Sequence, residues 1–77
     1  MFLHIGENNL VKSKDIIGIF DINSLKISDE NKAFIDKFGD DIKEKKTLII
    51  TEKGNYLSNI LVSTMAKRLN KNIKNTQ

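Results

Sequence analysis

The chain has 77 residues, no cysteine, no proline and a single histidine. That length suits one small domain, and the missing thiols exclude both a disulfide framework and a cysteine-held zinc site. The formal charge of +3 is unevenly spread: residues 1–42 carry eight acids and five bases, a net −3, whereas residues 43–77 carry two acids and eight bases, a net +6.

In chain order, Phe2-Leu3-His4-Ile5 reads as a short strand ending at Gly6, followed by a polar turn at Glu7-Asn8-Asn9 and a second extended piece at Leu10-Val11. Lys12-Ser13-Lys14-Asp15 reads equally as a polar turn and as the opening of a helical turn. Ile16 to Ile22 is nearly continuous in apolar character and rich in β-branched residues, which predicts a central strand covered on both faces. Gly18 within it marks a bulge or a close approach. Asn23-Ser24 breaks this strand. Ser28 is placed as a helix N-cap with Asp29 and Glu30 in the first turn. Ala33, Phe34, Ile35 and Phe38 supply the apolar face of that helix, and Gly39 ends it. Thr47–Thr51 and Tyr56–Ser58 are strands joined by a hairpin turn at Glu52-Lys53-Gly54-Asn55. A last helix follows from Leu61, Met65 and Leu69 at i, i+4 and i+8, with Lys67 and Arg68 facing away and residues 70–77 a fraying polar tail. The sum is an α+β domain spanning residues 1–77: a small, mainly antiparallel sheet of about five short strands with two helices packed on it.

A domain this small buries a modest share of its surface, so either a tight core or burial between copies of the chain must hold it. The high isoleucine content favours copies, with Phe2–Ile5 or Tyr56–Ser58 as contacting edges. No run approaches the roughly 18–20 apolar residues of a membrane span, and Met1 to Gly6 lacks a basic leader and a cleavage site. The expected location is the cytoplasm.

Catalytic chemistry finds little to work with. His4 sits alone in an alternating strand and reads as a structural residue. Asp21 has no partner for acid–base work, and the neighbours Asp40 and Asp41 do not converge on one point by spacing. The four glycines are isolated, so none builds a phosphate-cradling loop. Ser58 and Ser63 lack a nucleophile-elbow context. The reading is of a protein with no catalytic residue, cofactor, metal site or small-molecule substrate.

Two basic clusters remain. Lys43, Lys45 and Lys46 precede the strand Thr47–Thr51; Lys67, Arg68, Lys71 and Lys74 lie on and after the last helix. Positions 67, 71 and 74 share one helical face. With one arginine in the chain, both clusters suit phosphate contact better than base reading. The alternative is a solvated lysine-rich surface.

The segments Phe2-Leu3-His4-Ile5-Gly6 and Val11-Lys12-Ser13-Lys14-Asp15-Ile16-Ile17-Gly18-Ile19-Phe20-Asp21 resemble the start of the extracellular-matrix regulator (RemA/RemB) family of bacteria, the RemB type above all. Lys46-Thr47-Leu48-Ile49-Ile50-Thr51, Tyr56-Leu57-Ser58 and Ser63 to Leu69 are similar to its later part. The resemblance covers roughly residues 2–69 and is weakest over residues 24–45. It implies a DNA-binding regulator of biofilm-matrix genes that assembles into a homo-oligomer, a ring in the RemA branch. It places Lys43, Lys45 and Lys46 in the DNA-contacting region, with Glu44 interrupting the run. Asp15, beside Lys14, falls about where that branch has another DNA-contacting arginine. The DNA-binding set expected is thus Lys14, Lys43, Lys45, Lys46, Lys67 and Arg68. A self-assembling interaction module without DNA binding is the alternative.

Overall fold

The computed structural model describes residues 1–6 and 9–74, with side chains as far as Asn70. The elements are β1 (Phe2–Gly6), β2 (Asn9–Lys12), β3 (Ile16–Asp21), α1 (Ile22–Ile27), α2 (Lys32–Asp36), β4 (Thr47–Thr51), β5 (Gly54–Ser58) and α3 (Val62–Lys74). Short 3-10 turns occupy Ser13–Asp15, Asp29–Asn31 and Gly39–Ile42. The fold is α+β. Its five antiparallel strands divide into a β1-β2 hairpin and a three-stranded sheet ordered β3-β4-β5.

Strand β4 holds the architecture together. Side chains alternate across a strand, and β4 is apolar on both sides, so each face covers a different cluster. Ile49 joins Leu3, Ile5, Val11 and Met65 beneath the hairpin and α3. Leu48, one residue away, joins Ile22, Ile35 and Ile42 beneath α1, α2 and the third 3-10 turn. The hairpin and α3 therefore form one layer, the sheet a second, and the short helices a third.

The continuous apolar run at Ile16–Ile22 does not make the central strand; β4 does. A register shift between Ile16 and Gly18 marks a bulge, and Ile17 is left 68% exposed. The bulge lets Ile16 and Ile19, three residues apart, pack against the same cluster. Phe20 is 40% exposed, so β3 is an edge covered on one side. Gly18 has its own reason: a Cβ there would come within 2.6 Å of the Phe20 ring, which lies across it. Ile22 does not continue the strand but opens α1, where it is fully buried.

The single helix expected after Ser28 is instead broken into short pieces. Asp21 caps α1, accepting from the Ser24 backbone N–H at 3.2 Å and from its hydroxyl at 2.9 Å. Ser28 does cap, but over a 3-10 turn, accepting from the Glu30 N–H at 3.3 Å. Phe34 and Phe38 meet edge to face at 5.4 Å. The β4–β5 connection is the tight turn Glu52-Lys53, closed by Thr51, whose hydroxyl donates to the Gly54 carbonyl and accepts from the Lys53 N–H. Gly54 stands at φ 144°, a conformation side chains disfavour. In α3, Met65 is fully buried, whereas Leu61 precedes the helix and is exposed. Of the expected turn Glu7-Asn8-Asn9, Asn9 instead opens β2, and Glu7 and Asn8 lie outside the described residues.

Candidate nucleic-acid interface

The segment carrying Lys43, Lys45 and Lys46 is short and firmly rooted. Buried Ile42 anchors it at one end. At the other, Thr47 is buried and its hydroxyl donates to the Ile60 carbonyl at 2.6 Å. Backbone bonds clamp the middle: Lys46 N–H donates to Ser58 O at 2.9 Å, and Lys46 O accepts from Ile22 N–H at 3.0 Å. This segment therefore joins β5 to α1, and its side chains project from a fixed backbone.

The three lysines have different surroundings. Lys46 is exposed. Lys43 is exposed and paired with Asp40 at 3.0 Å, a surface ion pair of the kind worth about 0–1 kcal/mol. Lys45 is half-buried and lines a cleft with Ile5, Gly6, Asn9, Leu57, Ser58, Asn59 and Ile60. Asp40, Asp41 and Glu44 are interleaved with these lysines, all three exposed.

On α3, Lys67 is exposed as expected. Arg68 does not simply face away: its guanidinium donates to the His4 carbonyl at 2.9 Å. One side of its fork thus docks the helix on β1. The physical reason is that α3 packs on the hairpin through Met65 and Leu69, which brings position 68 alongside β1. Arg68 and Lys45 both border β1, at His4 and at Ile5-Gly6 respectively. The backbone of α3 continues through Lys71 and Lys74; their side chains lie outside the described set.

Lys14 is not brought to this region. It sits in the 3-10 turn between β2 and β3, which meets the opposite end of β4: Glu52 N–H donates to Asp15 O at 3.1 Å. The length of β4, Thr47–Thr51, separates the two ends by roughly 13–17 Å at about 3.3 Å per residue. Charge reading missed Lys53, which this arrangement places beside Asp15 at 3.9 Å. The signal was the antiparallel order itself, since pairing β3 with β4 sets the start of one beside the end of the other.

Among the described residues no group of three or more His, Asp or Glu side chains could hold a metal ion, and no helix is long and apolar enough to cross a membrane. A family model described as RemA-like, extracellular matrix regulatory protein A-like, matches residues 2–69. The chain belongs to this family, a regulatory family and not an enzyme family. No curated protein matches it.

Proposed function

We propose that this RemA-like family member is a DNA-binding transcriptional regulator of the RemB type. It acts in the cytoplasm on extracellular-matrix (biofilm) genes, as a homo-oligomer with repeated basic patches. Family membership over residues 2–69 carries the reading. The rooted backbone under Lys43, Lys45 and Lys46 supports it, since a fixed origin lowers the entropy lost when a lysine meets a phosphate. One copy offers few contacts, so affinity comes from multivalency around the assembly. Lysine positions the phosphate backbone and reads bases poorly, so sequence selectivity is weak.

The test is a gel-shift titration with duplex DNA at two salt concentrations. Affinity should fall steeply, with a log–log slope of about −0.9 per phosphate contact. Changing Lys45 and Lys46 together to Glu should abolish the shift and leave the oligomer's size in light scattering unchanged. Binding that survives the double change would move the contact to Lys67 and Arg68. A wild-type chain that fails to shift DNA even at low salt would sink the reading. The second reading, a self-assembling interaction module, then takes over. The pairing of Lys43 with Asp40 and the acids interleaved with the cluster favour it.

A further inference from the structure

Strand β5 ends the three-stranded sheet on the side away from β3 and pairs with β4 without irregularity. The Lys46 carbonyl accepts from Ile22 N–H, so alternation along β4 turns the backbone groups of Leu48 and Ile50 toward β3 and those of Ile49 and Thr51 toward β5. Asn55 and Leu57 face Ile50 and Leu48. Their N–H and C=O groups therefore point outward, along an open edge. Among the described residues, no hydrogen bond reaches these groups from outside the sheet. Two clefts flank the same edge, each lined by β5 and by the hairpin. One is lined by Lys45 with Leu57 and Ser58, the other by Lys12, Lys53 and Asp15 with Tyr56. Tyr56 packs on the cluster beneath the hairpin, and Ser58 bonds to Ile5. Both side chains thus mark the hairpin-facing side of β5, two residues apart. The charged side chains lining the first cleft sum to +1 (Lys45), and those lining the second also sum to +1 (Lys12 and Lys53 against Asp15).

We propose that β5 is a docking edge for an extended acidic segment of a partner protein, which adds to the sheet as a fourth strand. Main-chain bonds to Asn55 and Leu57 hold the segment, and the clefts select its side chains. Side chains alternate along a strand, so residues two apart in the segment face the hairpin together. That is the spacing of Tyr56 and Ser58, and hence of the two clefts. Acids at those positions meet Lys45 at one cleft and Lys12 and Lys53 at the other. A strand of another copy lacks the charge. Among the five strands the one acid is Asp21, and its carboxylate caps α1. Lys45 also belongs to the cluster proposed for DNA, so the segment and DNA draw on the same cation.

The probe is a capped hexapeptide alternating valine and glutamate, with its valine–lysine counterpart as control, added to the isotope-labelled whole chain and followed by NMR. With the glutamate peptide, the Asn55 and Leu57 amide protons should shift and exchange more slowly; with the lysine peptide they should not move. Lys45→Gln and Lys53→Gln should each weaken binding several-fold. Asn55→Pro removes one outward N–H and leaves the ladder to β4 whole. It should weaken binding about tenfold, the loss of one main-chain bond. Should Asn55→Pro fold poorly by circular dichroism, Leu57→Pro makes the same comparison. Equal response to the two peptides overturns the proposal, as does glutamate-peptide binding that the proline variant leaves intact, or no response to either. Amides of Asn55 and Leu57 already protected in the free protein, and released on dilution as the mass in light scattering falls, would give the edge to a second copy and overturn it as well.

Discussion

Ser58 uses one hydroxyl twice. It donates to the Ile5 carbonyl at 2.6 Å and accepts from the Ile60 N–H at 2.9 Å, tying β5 to β1 and to the approach of α3. Ser58→Ala should cost about 2–4 kcal/mol, since a buried acceptor and a donor each lose a partner. Thr47→Val strands only the Ile60 carbonyl and should cost about 1–3 kcal/mol. Urea denaturation checks both, with a lower midpoint at unchanged slope. At this scale the sequence is a poor guide. Ser58 attracts notice only as a nucleophile without a partner, because its real partner is 53 positions away. Arg68 reads as a free surface cation for the same reason, its acceptor being 64 positions distant. Met65 is different: its place in a helical repeat marks it as core, and it is fully buried. Met65→Ala should cost about 2–5 kcal/mol, read in the same titration.

Elements whose pattern repeats are legible, and elements built from single turns are not. Thr47–Thr51 appears as a strand from its composition and is one; α3 follows from apolar spacing. Residues 22–42 show a helical pattern only around Phe34, yet the chain turns four times there. Three of these turns each deliver a buried apolar residue to the same cluster: Ile22 from α1, Ile35 from α2 and Ile42 from the last 3-10 turn. Tertiary burial outweighs the weak helix propensity of Asn23 and Ser24. What makes α1 viable at six residues is its cap. Asp21→Ala removes both bonds to Ser24 and should cost about 0.5–2 kcal/mol. The loss should appear as a reduced urea midpoint, with Asp21→Asn recovering most of it.

For the whole molecule, apolar surface is left over. Phe2, Leu10, Ile17, Phe20 and Ile27 are all exposed, Ile27 at 84%, and β3 is an unpaired edge of its sheet. The expected state is a homo-oligomer, with these groups covered by neighbouring copies. Ile17→Lys should lower the mass seen by light scattering while the thermal transition persists. A folded wild-type monomer at micromolar concentration would argue against assembly. The basic clusters are legible as charge, but not their placement: sequence lists Lys14 with Lys43–Lys46, whereas the fold sets them at opposite ends of β4. That same strand has a consequence for how the protein comes apart. Leu48 and Ile49 belong to different clusters, so neither cluster can open without the other losing a wall. The two halves should melt in one transition, with no half-folded species between. In deuterated water, the amide protons of Leu48 and Ile49 should be among the last to exchange, at the free energy of global unfolding.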